Sequence, residues 1–175
     1  VSGKVISVVM LSAFVKAGWD KTEASPAKAL MGLNAKFQDL KPDETSYVTA
    51  AAVRIDKTRQ EIVYSVAGHN APMLLKSALG IDEIVMNSPP ISGWIPDFVY
   101  SDRAIGYGKG DILVLLTDGV TESKNAAGEQ FGIERVEEVL RRSESAERFI
   151  ERLKAVLKEF CGTFDDDITA IAFDL

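Results

Sequence analysis

The sequence contains very little cysteine and histidine, the residues that form zinc clusters, disulfides and histidine-based catalytic sites. Its 175 residues include one cysteine and one histidine. A lone cysteine excludes an internal disulfide and a cysteine-based zinc cluster, and a lone histidine excludes any site that needs two imidazoles. Cys161 is best interpreted as a buried or half-buried thiol near a helix end. No nucleophile motif accompanies His69 to complete a Ser-His-Asp triad.

Basic residues are fewer than acidic ones, and long apolar runs are scarce. The net charge of −6 argues against nonspecific binding of nucleic acid. The longest apolar run, residues 5–15, is too short for a bilayer, which takes roughly 20 residues. We therefore predict a buried helix over residues 5–16, no membrane partner and a cytoplasmic protein.

The composition is that of a folded protein, with 46% hydrophobic and 26% charged residues. The length suits one domain over residues 1–175. Ser25 and Pro26 have the residue types that open a helix, whose apolar positions are Leu30, Leu33, Phe37 and Leu40. A loop is predicted at residues 88–94, two helices are predicted around residues 133–140 and 149–160, and strands are predicted at residues 47–55, 61–66, 72–76, 81–86, 98–105, 112–117 and 168–173.

Two acidic segments near the C-terminal end carry most of the chemical information. Residues 117–122 (Thr-Asp-Gly-Val-Thr-Glu) follow an apolar run, and residues 164–169 (Phe-Asp-Asp-Asp-Ile-Thr) lead into another. Carboxylates at the mouths of two buried strands can converge, and Mg²⁺ or Mn²⁺ prefers such oxygen ligands. The pattern indicates a metal-dependent hydrolytic site that acts on phosphate.

Structural interpretations of the same residues stay open. An Asp-Gly pair such as Asp118-Gly119 is common in turns, and three adjacent aspartates can be a solvated loop between a helix and a strand. A lone histidine is more often structural than catalytic. Metal binding is favoured because Asp118 and the second acidic segment would supply ligands together.

At this point the whole chain resembles a known family, the SpoIIE-type phosphatase domain of the metal-dependent serine/threonine protein phosphatases (the PPM class). The resemblance rests on motifs in the family's order and spacing. These motifs are residues 1–4, 67–72, 110–122, 128–132 and 166–169. The implied fold is α+β: an antiparallel β-sandwich flanked by α-helices in four αββα layers, with the first strands lacking.

The resemblance also implies the roles of particular residues. Asp118 and Asp166 match the aspartates that bind the second metal and are the expected catalytic residues, and two Mn²⁺ or Mg²⁺ ions are expected in an intact site. The expected metal contacts further include Gly119 and Val1. A third metal or the substrate is expected near four residues, Glu122, His69, Asn70 and Asp167.

The chain departs from the family at its first motif. In the family an aspartate that bridges both metals directly precedes the segment that begins at Val1, and further strands lie upstream of it. Val5 stands where the family usually has glycine. We expect either a truncated phosphatase domain or a degenerate one, and an open sheet edge that favours a homodimer.

Three functions follow from these observations. The first is hydrolysis of phosphoserine or phosphothreonine on a protein, with a small STAS-type anti-sigma-factor antagonist as the partner that the family implies. The second is a phosphatase-like module that binds a phosphoprotein without hydrolysis, favoured by the missing aspartate of the first motif and by Val5. The third, independent of the family, is an acidic Mg²⁺-dependent hydrolase of small phosphate esters.

Overall fold

The computed structural model describes residues 25–41, 45–162 and 167–175, and the helix predicted over residues 5–16 lies outside them. The described helices are α1 (Pro26–Asp39), α2 (Asp118–Thr121), α3 (Ile133–Arg141) and α4 (Ala146–Cys161). The described strands are β1 (Tyr47–Val48), β2 (Ala50–Asp56), β3 (Glu61–Ala67), β4 (Met73–Ser77), β5 (Gly80–Ile84), β6 (Ile91–Ser92), β7 (Arg103–Gly106), β8 (Ile112–Leu116) and β9 (Ala170–Asp174).

The chain divides into two compact units. The first unit comprises Val1–His69 and Met86–Gly106, and the second comprises Asn70–Val85 and Tyr107–Leu175. Every described strand pair is antiparallel, so the predicted α+β class with antiparallel sheets is confirmed. In the described part of the chain, no helix is both long and apolar enough to cross a membrane.

Helix α1 of the first unit begins as the sequence predicts. The Ser25 hydroxyl caps it by accepting a hydrogen bond from the Lys28 amide at 3.1 Å, and Pro26 occupies the first position. Leu30 and Phe37 are fully buried, whereas Leu40 is the C-cap residue just after the helix and is 47% exposed. The predicted apolar stripe is therefore right for its central turns and wrong for its last residue.

The sheets of the first unit contain the strands predicted at residues 47–55 and 61–66. Strands β2, β3 and β7 pair in the order β2-β3-β7, and the Asp56 carboxylate accepts hydrogen bonds from the Thr58 and Arg59 amides in the β2–β3 turn. The strand predicted at residues 47–55 is interrupted at Thr49. The loop predicted at residues 88–94 contains β6, which pairs with β1.

The second unit is a four-stranded sheet covered by helices. Its strand order is β5-β4-β8-β9, and β8 pairs with β9 from Ile112↔Asp174 to Leu116↔Ala170. Helices α3 and α4 pack apolar side chains on one face, where Phe131 and Phe149 are fully buried with Val114 of β8. Burial of each large apolar side chain contributes about 1.5–3 kcal/mol to the stability of the fold. The buried strand β8 therefore holds the residues that follow it in a defined position.

Candidate active site

The two acidic segments of the sequence lie side by side in the second unit, at one end of the β8–β9 pair. Beyond the last ladder pair, the Thr117 amide donates to the Thr169 carbonyl at 3.0 Å. The Thr169 amide donates to the Thr117 hydroxyl at 3.1 Å, and that hydroxyl lies 3.4 Å from the Thr169 carbonyl. The chain therefore leaves β8 toward Asp118 directly opposite the place where it enters β9.

Asp118 begins the short helix α2, which the sequence did not predict. The Asp118 carbonyl accepts a hydrogen bond from the Glu122 amide at 2.8 Å, and the Thr121 hydroxyl donates to the same carbonyl at 3.2 Å. Val120 is fully buried, whereas the Asp118 side chain is exposed. Its Oδ1 accepts a hydrogen bond from the next amide, Gly119, at 3.0 Å. The helix thus fixes the position of an exposed carboxylate.

Gly119 allows the second acidic segment to approach the first. A Cβ atom at this position would lie 2.5 Å from the carbonyl oxygen of Asp167, far inside van der Waals contact. Only glycine leaves room for the two backbones to pack this closely. The Gly119 carbonyl accepts a hydrogen bond from the Ser123 hydroxyl at 2.6 Å. A metal contact through Gly119 stays a prediction, while its steric role is visible.

Glu122 ends α2, one turn after Asp118, and its side chain is exposed. Residues four apart in a helix lie on the same face, so Glu122 follows Asp118 on the side away from buried Val120. The predicted position of Glu122 near the substrate or a further metal stays a prediction.

The segment after α2 folds back and is tied to it. The Phe131 amide donates to the Ser123 carbonyl at 2.8 Å, and the Gly132 amide donates to the Thr121 carbonyl at 2.9 Å. Within this segment the Arg135 guanidinium hydrogen-bonds the carboxylate of Glu129 and holds its pKa below the ordinary value. The motif at residues 128–132 therefore supports both α2 and the start of α3.

His69 and Asn70 follow β3, after Gly68 with its positive φ of 61°. His69 is half-buried and is the last residue of the first segment of the first unit, whereas Asn70 is exposed and is the first residue of the second unit. Their predicted proximity to a metal or substrate stays a prediction.

Asp166 and Val1 lie outside the described residues, and Asp167 is described and exposed. Among the described residues no group of three or more His, Cys, Asp or Glu side chains is placed to hold a metal ion. The Asp167 carbonyl packs on Gly119, the residue next to Asp118, so oxygen atoms of both acidic segments lie at this end of the strand pair. Oxygen donors at the mouth of a strand pair fit Mg²⁺ or Mn²⁺.

Comparison with known proteins agrees with the motifs. A family model described as stage II sporulation protein E (SpoIIE) matches residues 1–175. The chain belongs to the SpoIIE family.

Two curated proteins resemble this SpoIIE-family chain in sequence. Protein IcfG of Synechocystis sp. is 31% identical over 123 residues, which are 67% of this chain and 19% of IcfG. Phosphoserine phosphatase RsbP of Bacillus subtilis is 32% identical over 101 residues, which are 56% of this chain and 25% of RsbP. The matched part therefore spans about a quarter or less of each of these relatives.

Solved structures share the fold of this SpoIIE-family chain. The PP2C domain of SiaA from Pseudomonas aeruginosa superposes with a TM-score of 0.80 at 20% identity, covering 98% of this chain and 68% of that one. The catalytic domain of the serine/threonine protein phosphatase PstP, in complex with two manganese ions, gives a TM-score of 0.70 at 15% identity, covering 97% of this chain and 80% of that one. The predicted PPM-type phosphatase fold is confirmed.

Sequence reasoning missed three features of this site: helix α2, the steric role of Gly119 and the hydrogen bonds between Thr117 and Thr169. A signal for α2 was present, because threonine before an aspartate is a common helix start. The other two depend on which backbone lies opposite.

Proposed function

We propose that this chain is a phosphatase domain that hydrolyses phosphoserine or phosphothreonine on a protein, with Mn²⁺ or Mg²⁺ as cofactor. The observation that carries the proposal is the convergence of the two acidic segments, where Gly119 lets the Asp167 backbone pack beside Asp118. Family membership supports the phosphatase class, the name of RsbP supports phosphoserine, and the manganese ions of PstP support the metal.

Each residue of the site has a proposed task. When bound, a divalent pair supplies an activated water and neutralises phosphoryl charge. Asp118 and Asp166 would hold the metal, with Gly119 and Val1 as further contacts. Glu122, His69, Asn70 and Asp167 would face the substrate or a weaker third ion. The exposed position of Asp118, at the start of a helix that is packed through Val120, suits a carboxylate that holds a cation accessible to a protein substrate.

The proposed substrate is a small STAS-type antagonist of an anti-sigma factor, phosphorylated on serine, as the family resemblance implies. The proposal includes a cytoplasmic location and one domain over residues 1–175. The net charge of −6 means that an anionic phosphoprotein gains little from long-range attraction, so the metal itself would supply the local positive charge.

The test is hydrolysis of a phosphoserine STAS-domain protein by the natural protein that contains these residues, with and without Mn²⁺. Asp118→Asn keeps the shape of the side chain and removes its charge, so we expect turnover to fall by at least about 100-fold. Asp82→Asn is the matched control, because Asp82 is an exposed aspartate on β5 of the same unit. It should keep wild-type turnover.

Other outcomes separate the rival functions. Tight binding of the phosphoprotein by the wild type without turnover would overturn the proposal in favour of a binding module. Faster turnover of nucleotides or sugar phosphates than of the phosphoprotein would favour a hydrolase of small esters. Equal turnover by wild type and Asp118→Asn would show that Asp118 is not part of the site.

A further inference from the structure

We propose that Thr117 is a positioning residue. Its hydroxyl sets the separation between Asp118 and the segment of residues 167–169 that leads into β9. The inference rests on the proposed function, since it concerns how the same site is built. It goes beyond the family motif, because no role in the site has been assigned to this side chain.

The first step is the hydrogen-bond pattern at the end of the sheet. In an antiparallel ladder, a hydrogen-bonded residue pair exchanges two bonds between backbone amides and carbonyls. At the Thr117–Thr169 pair one of these is present, from the Thr117 amide to the Thr169 carbonyl at 3.0 Å. The Thr169 amide instead donates to the Thr117 side chain, at 3.1 Å. A hydroxyl has taken the place of a backbone carbonyl.

The second step explains the substitution. The Thr117 carbonyl accepts a hydrogen bond from the Val120 amide at 3.0 Å, because the chain has already turned into α2. The ladder would therefore lose its last bond where the helix begins. The Thr117 hydroxyl lets both arrangements coexist, since it satisfies the Thr169 amide while the carbonyl serves the helix.

The third step is what this hydroxyl does not do. Thr117 is the N-cap residue of α2, and an N-cap threonine ordinarily accepts a hydrogen bond from an amide of the first helical turn. Within the described structure its side chain makes no such capping bond. The hydroxyl is directed across the strand pair, toward Thr169.

The consequence concerns the residues that follow. Asp118 is the next residue after Thr117, and Asp167 lies two residues before Thr169 and packs its carbonyl on Gly119. The hydroxyl bond closes the strand pair at the point where both acidic segments leave it. Without that bond, the Thr117–Thr169 pair keeps its amide-to-carbonyl hydrogen bond but loses the second one, so the separation between Asp118 and the Asp167 segment is less closely fixed.

The experiment uses the natural protein that contains these residues and compares Thr117→Val with Thr117→Ser. Valine keeps the shape and removes the hydroxyl, whereas serine keeps the hydroxyl. Outer partners of metal sites typically change affinity by about 10- to 100-fold, so we expect Thr117→Val to weaken Mn²⁺ binding about 10-fold in a titration without substrate. Thr117→Ser should restore it. Thr49→Val, at an exposed position between β1 and β2, controls for the substitution itself.

A second readout isolates the bond. Hydrogen exchange at the Thr169 amide, measured without metal, should speed up in Thr117→Val and return to the wild-type rate in Thr117→Ser. Suppose that the wild type binds Mn²⁺. Unchanged exchange in Thr117→Val, or Mn²⁺ binding by Thr117→Val that equals that of the wild type, would then overturn the inference and leave the proposed function standing. A wild type that binds no Mn²⁺ would overturn both.

Discussion

Each end of strand β8 is flanked by an aspartate next to a glycine, and the two aspartates differ in solvent exposure and in hydrogen bonding. Before the strand, Asp111 is 9% exposed and its carboxylate accepts a hydrogen bond from the Gly108 amide at 2.7 Å. After the strand, Asp118 is exposed, and its described hydrogen bond is to the amide of its own neighbour. One carboxylate is used to close a turn, while the other is presented to solvent.

The glycines differ in the same way. Gly110 has a φ of 91°, and a Cβ there would meet nothing within 4 Å, so the backbone conformation selects glycine. Gly119 lies in α2, and the nearby Asp167 carbonyl selects glycine through lack of space. Of the two Asp-Gly neighbours of β8, the one after the strand leaves its carboxylate accessible and uses its glycine for a close backbone contact, which is what the proposed function requires.

The largest expected effect on stability and activity together comes from replacing Gly119 by alanine, which adds one methyl group. Gly119→Ala puts a Cβ 2.5 Å from the Asp167 carbonyl, and because the neighbour is backbone, one segment has to move. We expect a loss of about 1–3 kcal/mol in the free energy of unfolding, together with loss of Mn²⁺ binding and turnover. Denaturant unfolding and a Mn²⁺ titration measure the two effects.

Gly110→Ala is the matched control, since strain at its positive φ costs a comparable amount, about 1–3 kcal/mol. It lies at the far end of β8 and should keep Mn²⁺ binding and turnover. If both variants lose activity in proportion to their stability, the contact at Gly119 has no special role in the site.

A smaller effect on the free energy of unfolding is expected from removing the aspartate carboxylate at each end of β8. Asp111→Ala deprives the exposed Gly108 amide of its acceptor and should lower the free energy of unfolding by about 0.5–1.5 kcal/mol, with turnover kept. Asp118→Ala should change stability by only about 0.5 kcal/mol and abolish turnover. Chemical denaturation of both variants checks this; a large stability loss in Asp118→Ala would show that Asp118 is structural.

Much of this site could be predicted from local sequence. The local sequence predicted the apolar run of β8, the Asp-Gly pair after it and the acidic run before β9. Burial and strand length produce a clear pattern of apolar and polar residues. The opening of α1 at Ser25 was readable for a similar reason, since capping chemistry depends on adjacent residues.

The rest depended on tertiary pairing. Strand β6 has two residues in a proline-containing segment, and its pairing with distant β1 creates it. The hydroxyl bond of Thr117 and the tight contact at Gly119 require knowing that Thr169 and Asp167 lie opposite. No local propensity carries that information, because it is a property of register.

Glu129 offers a third case, exposed yet partnered, and predicts the smallest effect. Its pKa is lowered from the ordinary value of 4.5, chiefly by the hydrogen bond from Arg135. A carboxyl with a lowered folded-state pKa stabilises the fold above its unfolded-state pKa, and this contribution disappears as the pH falls through the folded value. The melting temperature of wild type should therefore exceed that of Glu129→Gln near neutral pH, and the gap should close as the pH falls below about 4.5. Glu83→Gln, at an exposed position of β5, should show no such closing. A gap that persists at low pH would mean that Glu129 acts through packing of its segment rather than through its charge.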